Sequence, residues 1–375
     1  MGYICRSEYH DCKALSNQTD SYADPLTTVL PRYRLCDASE ITTVHGLPVL
    51  NPSTFAEIAF YSNMGPLDSI NTSAVDMALI VVHGAARNGD DYICSAKATL
   101  ELQNRFSNVL IIAPNFYSAA DDRPRESLLY WDSKDTNGNW RYGADSSGPV
   151  HYSSFSVLDQ LVRFLQAKFT NIQMITVAGH SSGGQLVQRW ALLSGVSQSL
   201  QPSPWLRTVV ANPSNYAYLS PERFIDGIWK IPDTSACPGY DQWEWGLADG
   251  GKLHVPYRDG ALSNGTSIVL ERYKSRNVIY MIGGVDRCNV SGSTNSGWCH
   301  SHGLETKCMD QLQGKNRFER NAHYFASLLR LGYGNGNHRH VIVPDVGHDH
   351  SMMFQSQEGI QALYYEMPSL ETIEQ

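Results

Sequence analysis

Met174-Ile175-Thr176-Val177-Ala178-Gly179-His180-Ser181-Ser182-Gly183-Gly184 decides how the rest of the chain is read. An apolar run suited to a buried strand, Met174 to Ala178, leads into Gly179-x-Ser181-x-Gly183, and a helical pattern from Gly184 to Ser194 follows at once. Gly-x-Ser-x-Gly alone is a weak signal. Set between a strand and a helix, it describes a sharp turn that projects a serine hydroxyl from the edge of a sheet. Gly179 and Gly183 leave room where a β-carbon would collide with the neighbouring strand or helix. The helix behind Ser181 aims its unbonded first-turn N–H groups at the hydroxyl, which favours negative charge developing there. Ser182 offers a second hydroxyl, but the motif's spacing selects Ser181.

Outward from this turn, strands and helices alternate. Strands are expected over Ala56–Tyr61, Met77–Val82, Val109–Ala113 (stopped by Pro114), Leu206–Ala211, Val278–Ile282 and His340–Val343. Helices are expected over Asp90–Phe106, Ser153–Phe169, Asn316–Leu331 and Ser351 to about Tyr365. That alternation predicts an α/β protein with a mostly parallel central sheet flanked by helices. The core is assigned to residues 39–212 and 273–375, residues 1–38 to an irregular arm, and residues 213–272 to an inserted cap or lid too long for a plain crossover. Ligands in such sheets bind at the carboxyl ends of strands, so the loops there hold the candidates. A serine nucleophile needs a base whose pKa lies near the working pH, which makes it a histidine. Gly347-His348 follows the last strand, with His350 as its rival. Gly283-Gly284-Val285-Asp286 follows the penultimate one, with Asp310 and Asp345 as rivals. The corresponding position after the preceding strand holds Asn212, which is not an acid. His338 and His340 stand at the other end of the last strand from His348 and His350, so the four do not read as a metal site.

The chain resembles the α/β-hydrolase superfamily, in its serine esterase and lipase branch, over roughly residues 50 to 365. The anchors are His83-Gly84, Gly179-His180-Ser181-Ser182-Gly183, Asp286 and Gly347-His348, in that superfamily's order of nucleophile, acid and base. The resemblance implies Ser181 as nucleophile, His348 as base and Asp286 as the acid that orients it. It implies an oxyanion hole formed by the N–H groups of Ser182 and Ala85, with Ala86 as the fallback for Ala85. It implies hydrolysis of a carboxylic ester, of a small molecule or a polymer, without metal or other cofactor. Amide cleavage, acyl transfer or a lyase or cyclase reaction on the same three residues is the alternative, and a binding module on the same scaffold a third.

Candidate substrate-binding residues are His83 and His180 beside the two donors, Trp131 near a Gly/Asn/Asp-rich loop, and Tyr216 and Trp243 within the insertion. The insertion is rich in aromatics: Tyr216, Tyr218, Phe224, Trp229, Tyr240, Trp243 and Trp245. They read equally as a lid for an apolar or aromatic substrate group and as the insertion's own small core. Arg87, Asn88, Asp91 and Tyr92 either shape the site or cap the helix that follows. Arg317 and Arg320 read as structural.

Formal net charge is −8 with no long basic run, which excludes an evident nucleic-acid surface. No uninterrupted apolar stretch is long enough to span a membrane. The eight cysteines lack a Cys-x-x-Cys pair, and disulfides are the preferred reading, pointing to an oxidising compartment. Sequons begin at Asn17, Asn71, Asn264 and Asn289, about the number that composition alone produces. Met1-Gly2-Tyr3-Ile4-Cys5 has no leader character. The expectation is a secreted glycoprotein whose leader lies outside this sequence; the alternative is a cytoplasmic one.

Overall fold

Eight strands build one sheet: β1 (His45–Pro48), β2 (Glu57–Ser62), β3 (Met77–Val82), β4 (Val109–Asn115), β5 (Met174–His180), β6 (Trp205–Ala211), β7 (Asn277–Gly283) and β8 (His338–Val343). The computed structural model describes residues 3–5, 12–14, 43–49, 55–103, 108–132, 139–196, 205–251, 253–288, 294–296, 299–301, 303–334 and 336–365. The strand order is β8-β7-β6-β5-β3-β4-β2-β1. Strands β3 to β8 are mutually parallel, and β2 runs antiparallel to both its neighbours.

The apolar runs make this sheet because both its faces are covered. All six residues of β3 are buried. Ala78, Ile80 and Val82 join Leu158 and Leu161 of α2 (Ser154–Lys168) and Leu186 and Trp190 of α3 (Ser182–Leu193) in one core. Met77, Leu79 and Val81 join Tyr92, Ile93 and Leu100 of α1 (Gly89–Leu102) in a second core on the other face. Each large apolar side chain so buried contributes roughly 1.5–3 kcal/mol. Polar caps set where helices start: Ser153 Oγ accepts the Phe155 N–H at 3.1 Å ahead of α2.

Between β6 and β7 the chain forms a short hairpin (Arg223–Ile225 with Ile228–Lys230) and then α4 (Pro256–Leu262) and α5 (Thr266–Lys274). Helix α5 sends Val269 and Tyr273 into the core shared with α3, so the crossover helix lies inside the span expected as an insertion. Cys237 of this segment is disulfide-bonded to Cys308, the first residue of α6 (Cys308–Gln311). Cys94 and Cys288 each take part in a disulfide as well. Helix α7 (Arg317–Arg330) follows, with Asn316 Oδ1 accepting the Glu319 N–H at 2.9 Å.

The expected single terminal helix is two, α8 (His350–Gln355) and α9 (Gln357–Tyr364). Ser356 between them is extended, with ψ 161°, and its hydroxyl caps α9 by accepting the Gly359 N–H at 2.9 Å. A β-carbon on Gly359 would meet the Met353 carbonyl oxygen at 2.1 Å, so glycine allows the two helices to fold back closely. Strand β4 runs on through Pro114 because its parallel ladder with β3 ends at Ile112, before the missing N–H is needed. In the N-terminal arm Tyr3–Cys5 pairs antiparallel with Cys12–Ala14. The rest of residues 1–38 lies outside the described residues, as do the sequons at Asn17 and Asn289. Asn71 and Asn264 are exposed. Among the described residues no helix is long and apolar enough to cross a membrane.

Candidate active site

Ser181 sits between β5 and α3 with φ 57° and ψ −118°, a backbone state that costs on the order of 1–3 kcal/mol for a residue with a β-carbon. Its N–H donates to the Ala211 carbonyl on β6 at 2.9 Å, and its own carbonyl accepts the Gln185 N–H at 3.0 Å, which hold the turn. The flanking glycines are required by close approach. A β-carbon on Gly179 would meet the Gly183 carbonyl oxygen at 2.3 Å, and one on Gly183 the Val82 carbonyl oxygen at 2.4 Å.

Three loops converge on this serine. His348, in the turn after β8, has Nε2 2.9 Å from Ser181 Oγ and Nδ1 2.8 Å from Asp286 Oδ2. Because a carboxylate only accepts, Nδ1 carries the proton and Nε2 is left as acceptor for the serine hydroxyl. All three side chains are buried. Asp349, next in the chain, caps α8 by accepting the Met352 N–H at 2.9 Å, which fixes the backbone beside His348. Asp286 is fixed from several sides. Its carbonyl accepts the Phe318 N–H of α7 at 3.2 Å. Its Oδ2 also accepts Asn212 Nδ2 at 2.9 Å, and Oδ1 faces Arg317 Nη1 at 3.8 Å. Asn212 Nδ2 donates in addition to the Gly347 carbonyl at 3.0 Å, so one amide braces the Asp286 and His348 loops together.

The rivals are engaged elsewhere. Asp310 accepts from Asn215 Nδ2 and Trp245 Nε1, each at 2.7 Å. Asp345 is exposed in a turn with φ 55°. His350 is buried and stacks on Tyr92 with ring centroids 4.0 Å apart. His338 Nδ1 meets the Tyr280 hydroxyl at 3.0 Å and its Nε2 the Tyr273 carbonyl at 2.8 Å.

Ala85 and Ala86 are exposed on the loop after β3. Below them His83 is fully buried. Its Nδ1 donates to the Gly84 carbonyl at 2.8 Å and its Nε2 accepts the Phe116 N–H at 2.9 Å. Burial pushes its pKa down to about 4, so it is neutral. Above them Arg87 pairs with Asp121 through two bonds of 2.6 and 2.8 Å. Ser182 opens α3, where first-turn N–H groups have no intrahelical acceptor. His180 lies behind His348, ring centroids 4.6 Å apart, with Nδ1 3.0 Å from the Tyr92 hydroxyl; burial keeps its pKa well below the usual imidazole range.

The three aromatic candidates are buried core residues. Trp131 Nε1 donates to the Ala144 carbonyl at 2.9 Å, and Trp243 Nε1 to the Tyr142 carbonyl at 2.9 Å. Tyr216 stacks on Tyr324 of α7 at 4.3 Å, and its hydroxyl accepts Asn321 Nδ2 at 2.7 Å. Their polar atoms are engaged inside the protein, and Tyr216 and Trp243 of the insertion join the main core beside α2 and α3, neither lining a lid nor forming a separate small core. Sequence reasoning read Arg317 as structural and missed Glu305, Gln185 and Arg141. Glu305 accepts Gln185 Nε2 at 2.9 Å, Asn215 Nδ2 at 2.8 Å and Arg141 Nη1 at 2.9 Å. Of such contributors Asn212 and Arg317 stood out in the sequence, Asn212 by its place just after β6 and Arg317 at the opening of α7.

No protein-family model matches the sequence, and no curated protein sequence matches it. Solved structures share its fold. A poly(aspartic acid) hydrolase from Sphingomonas sp. KT-1 is 17% identical with a TM-score of 0.54, over 86% of this chain and 98% of that one. A poly(3-hydroxybutyrate) depolymerase from Bordetella parapertussis is 18% identical with a TM-score of 0.53, over 88% of this chain and 93% of that one. With the sheet order above, these likenesses give the chain the α/β-hydrolase fold.

Proposed function

We propose that this α/β-hydrolase-fold chain is a serine hydrolase that cleaves a carboxylic ester through an acyl-enzyme on Ser181. The observation that carries the reading is the hydrogen-bonded row Ser181 Oγ, His348 and Asp286, with steps of 2.9 and 2.8 Å. Ser181 Oγ attacks the ester carbonyl while His348 Nε2 takes its proton. Asp286 stabilises the imidazolium and holds its tautomer. The N–H groups of Ser182 and Ala85 receive the oxyanion, each worth about 3–4 kcal/mol to the transition state. His348 then protonates the departing alcohol. Water, deprotonated by His348, attacks the acyl-enzyme, and the acid leaves. We further propose that the protein works in an oxidising compartment, a reading supported by the Cys237–Cys308 disulfide.

The experiment is covalent labelling with a fluorophosphonate together with turnover of a short-chain aryl ester. Ser181 is expected to carry the label, and Ser181→Ala to lose both label and at least about 10⁴-fold in kcat. A labelled protein idle on aryl esters of every acyl length tried would move the reading to amide cleavage, acyl transfer or a lyase or cyclase reaction. Absence of labelling on folded protein would end it.

A further inference from the structure

Beside Ser181 lies a polar cluster that this chemistry does not use. Gln185, one turn along α3, directs Nε2 to Glu305 Oε2 and to Asn215 Oδ1, each at 2.9 Å. Glu305 Oε1 accepts Arg141 Nη1 at 2.9 Å and the Tyr142 hydroxyl at 3.3 Å. Arg141 belongs to the short turn Trp140–Tyr142, whose Trp140 ring packs on His83 with centroids 4.9 Å apart. The cluster therefore spans from the loop after β3 to the first turn of α3, at the same edge of the sheet as Ser181.

Arg141 is fixed by its neighbours on one side of the guanidinium. Asn139 Oδ1 takes its Nε at 3.1 Å, Glu305 takes Nη1, and the guanidinium stands 5.0 Å over the Tyr142 ring. Nη2 has no partner among the described residues, and the side chain is 25% exposed. Nearby, Glu244 has a side chain only 2% exposed, with Oε1 3.9 Å from Lys307 Nζ and Oε2 without a partner. Burial, and next the Glu305 carboxylate, push its pKa up to about 8, so at neutral pH it is a carboxylic acid. The charges left are Arg141, Lys307, buried Arg189 and Arg320 against Glu305 and Asp310. A guanidinium edge without acceptor, an ammonium and a buried O–H call for one thing, the oxygens of an anion.

We propose that Arg141, Lys307 and Glu244 form a subsite for a free carboxylate on the substrate, so that acidic esters are preferred over neutral ones. The inference rests on the ester-hydrolase reading above.

The test uses two matched pairs of aryl esters. The 4-nitrophenyl monoester of glutaric acid against 4-nitrophenyl butyrate places the acid on the acyl side; 4-acetoxybenzoate against phenyl acetate places it on the alcohol side. In at least one pair the acidic member is expected to have a kcat/KM roughly tenfold higher at low salt, through a lower KM, with the advantage shrinking at high salt. Arg141→Gln is expected to collapse that ratio. Lys168→Gln, at a surface ion pair with Asp68, keeps both rate and ratio. Should Arg141→Gln not fold, competitive inhibition of the unaltered protein by glutarate but not by glutaramide reads the same contact. Neutral esters turned over with no acidic preference in either pair, or a preference that Arg141→Gln leaves intact, overturns this inference alone. No turnover of any of the four esters and no fluorophosphonate label overturns both readings.

Discussion

Asn212 occupies the end of β6 with φ 46°, in the left-handed region that Asn and Asp tolerate better than other residues with a β-carbon. Its Nδ2 donates to the same Asp286 oxygen that holds His348, and its Oδ1 accepts the Gly283 N–H at 3.2 Å. An aspartate there keeps the backbone but trades a donor for a second carboxylate beside the first. Of two carboxylates in contact, one keeps its proton to a higher pH. Asn212→Asp is therefore expected to shift the acid limb of the kcat/KM–pH profile upward. Asn212→Ala removes three side-chain hydrogen bonds, to Asp286, Gly347 and Gly283, without adding a charge, and is expected to lower kcat by about tenfold without moving that limb. Profiles on a neutral aryl ester distinguish the two; an unmoved limb in Asn212→Asp removes Asn212 from the positioning of the acid. Ser181, Asp286 and His348 were legible because each stands beside local punctuation: a glycine-framed turn, or glycines directly after a strand. The partners of these residues were not. Asn212 meets Asp286 across 74 positions and Gln185 meets Glu305 across 120, and no local periodicity encodes such pairs.

The strands were legible for a different reason. A parallel sheet covered on both faces needs unbroken apolar runs, and β3, β4 and β5 supply them. The edge strand β1, His45-Gly46-Leu47-Pro48, carries a glycine and a proline and gives no such signal. Loops were harder still, because Trp131, Tyr216 and Trp243 show their burial only in three dimensions. The end of β3 illustrates how an element supports the loop beyond it. His83 spends Nε2 on the Phe116 N–H, and protonating that nitrogen abolishes the acceptor. Its pKa is about 4 in the folded state against an unfolded value of 6.5. Between those limits the unfolded chain binds a proton that the folded one refuses. Stability from this group thus falls as pH drops from 6.5 to 4, by about 1.4 kcal/mol per pH unit, and changes no further below. His83→Asn is expected to lower stability at neutral pH and to remove that share of the slope. Urea midpoints of variant and parent across this range give the difference; parallel curves rule out a neutral His83.

At the scale of the molecule, the sheet leaves a long excursion between β6 and β7 to be secured. Much of it is secured by burial: Tyr216, Tyr218 and Trp243 join the core shared by α3 and α7. Its middle is tied by Cys237–Cys308, a bond across 71 positions. Spacing alone does not choose among the pairings that eight cysteines permit, so this tie was not legible in the sequence. Cross-linking a loop of that length removes chain entropy from the unfolded state worth roughly 4 kcal/mol, a large share of what a folded domain holds in reserve. Cys237→Ser with Cys308→Ser is expected to lower the unfolding free energy by about that amount, read from the denaturant midpoint at constant slope. The loops of Ser181, Asp286 and His348 are each fixed by their own strands, whereas Glu305 and Lys307 lie just before Cys308. The double variant should therefore lose preference for acidic esters before it loses turnover of neutral ones. An unchanged midpoint means that packing alone holds the excursion; simultaneous loss of both activities means that the cross-link supports the serine turn itself.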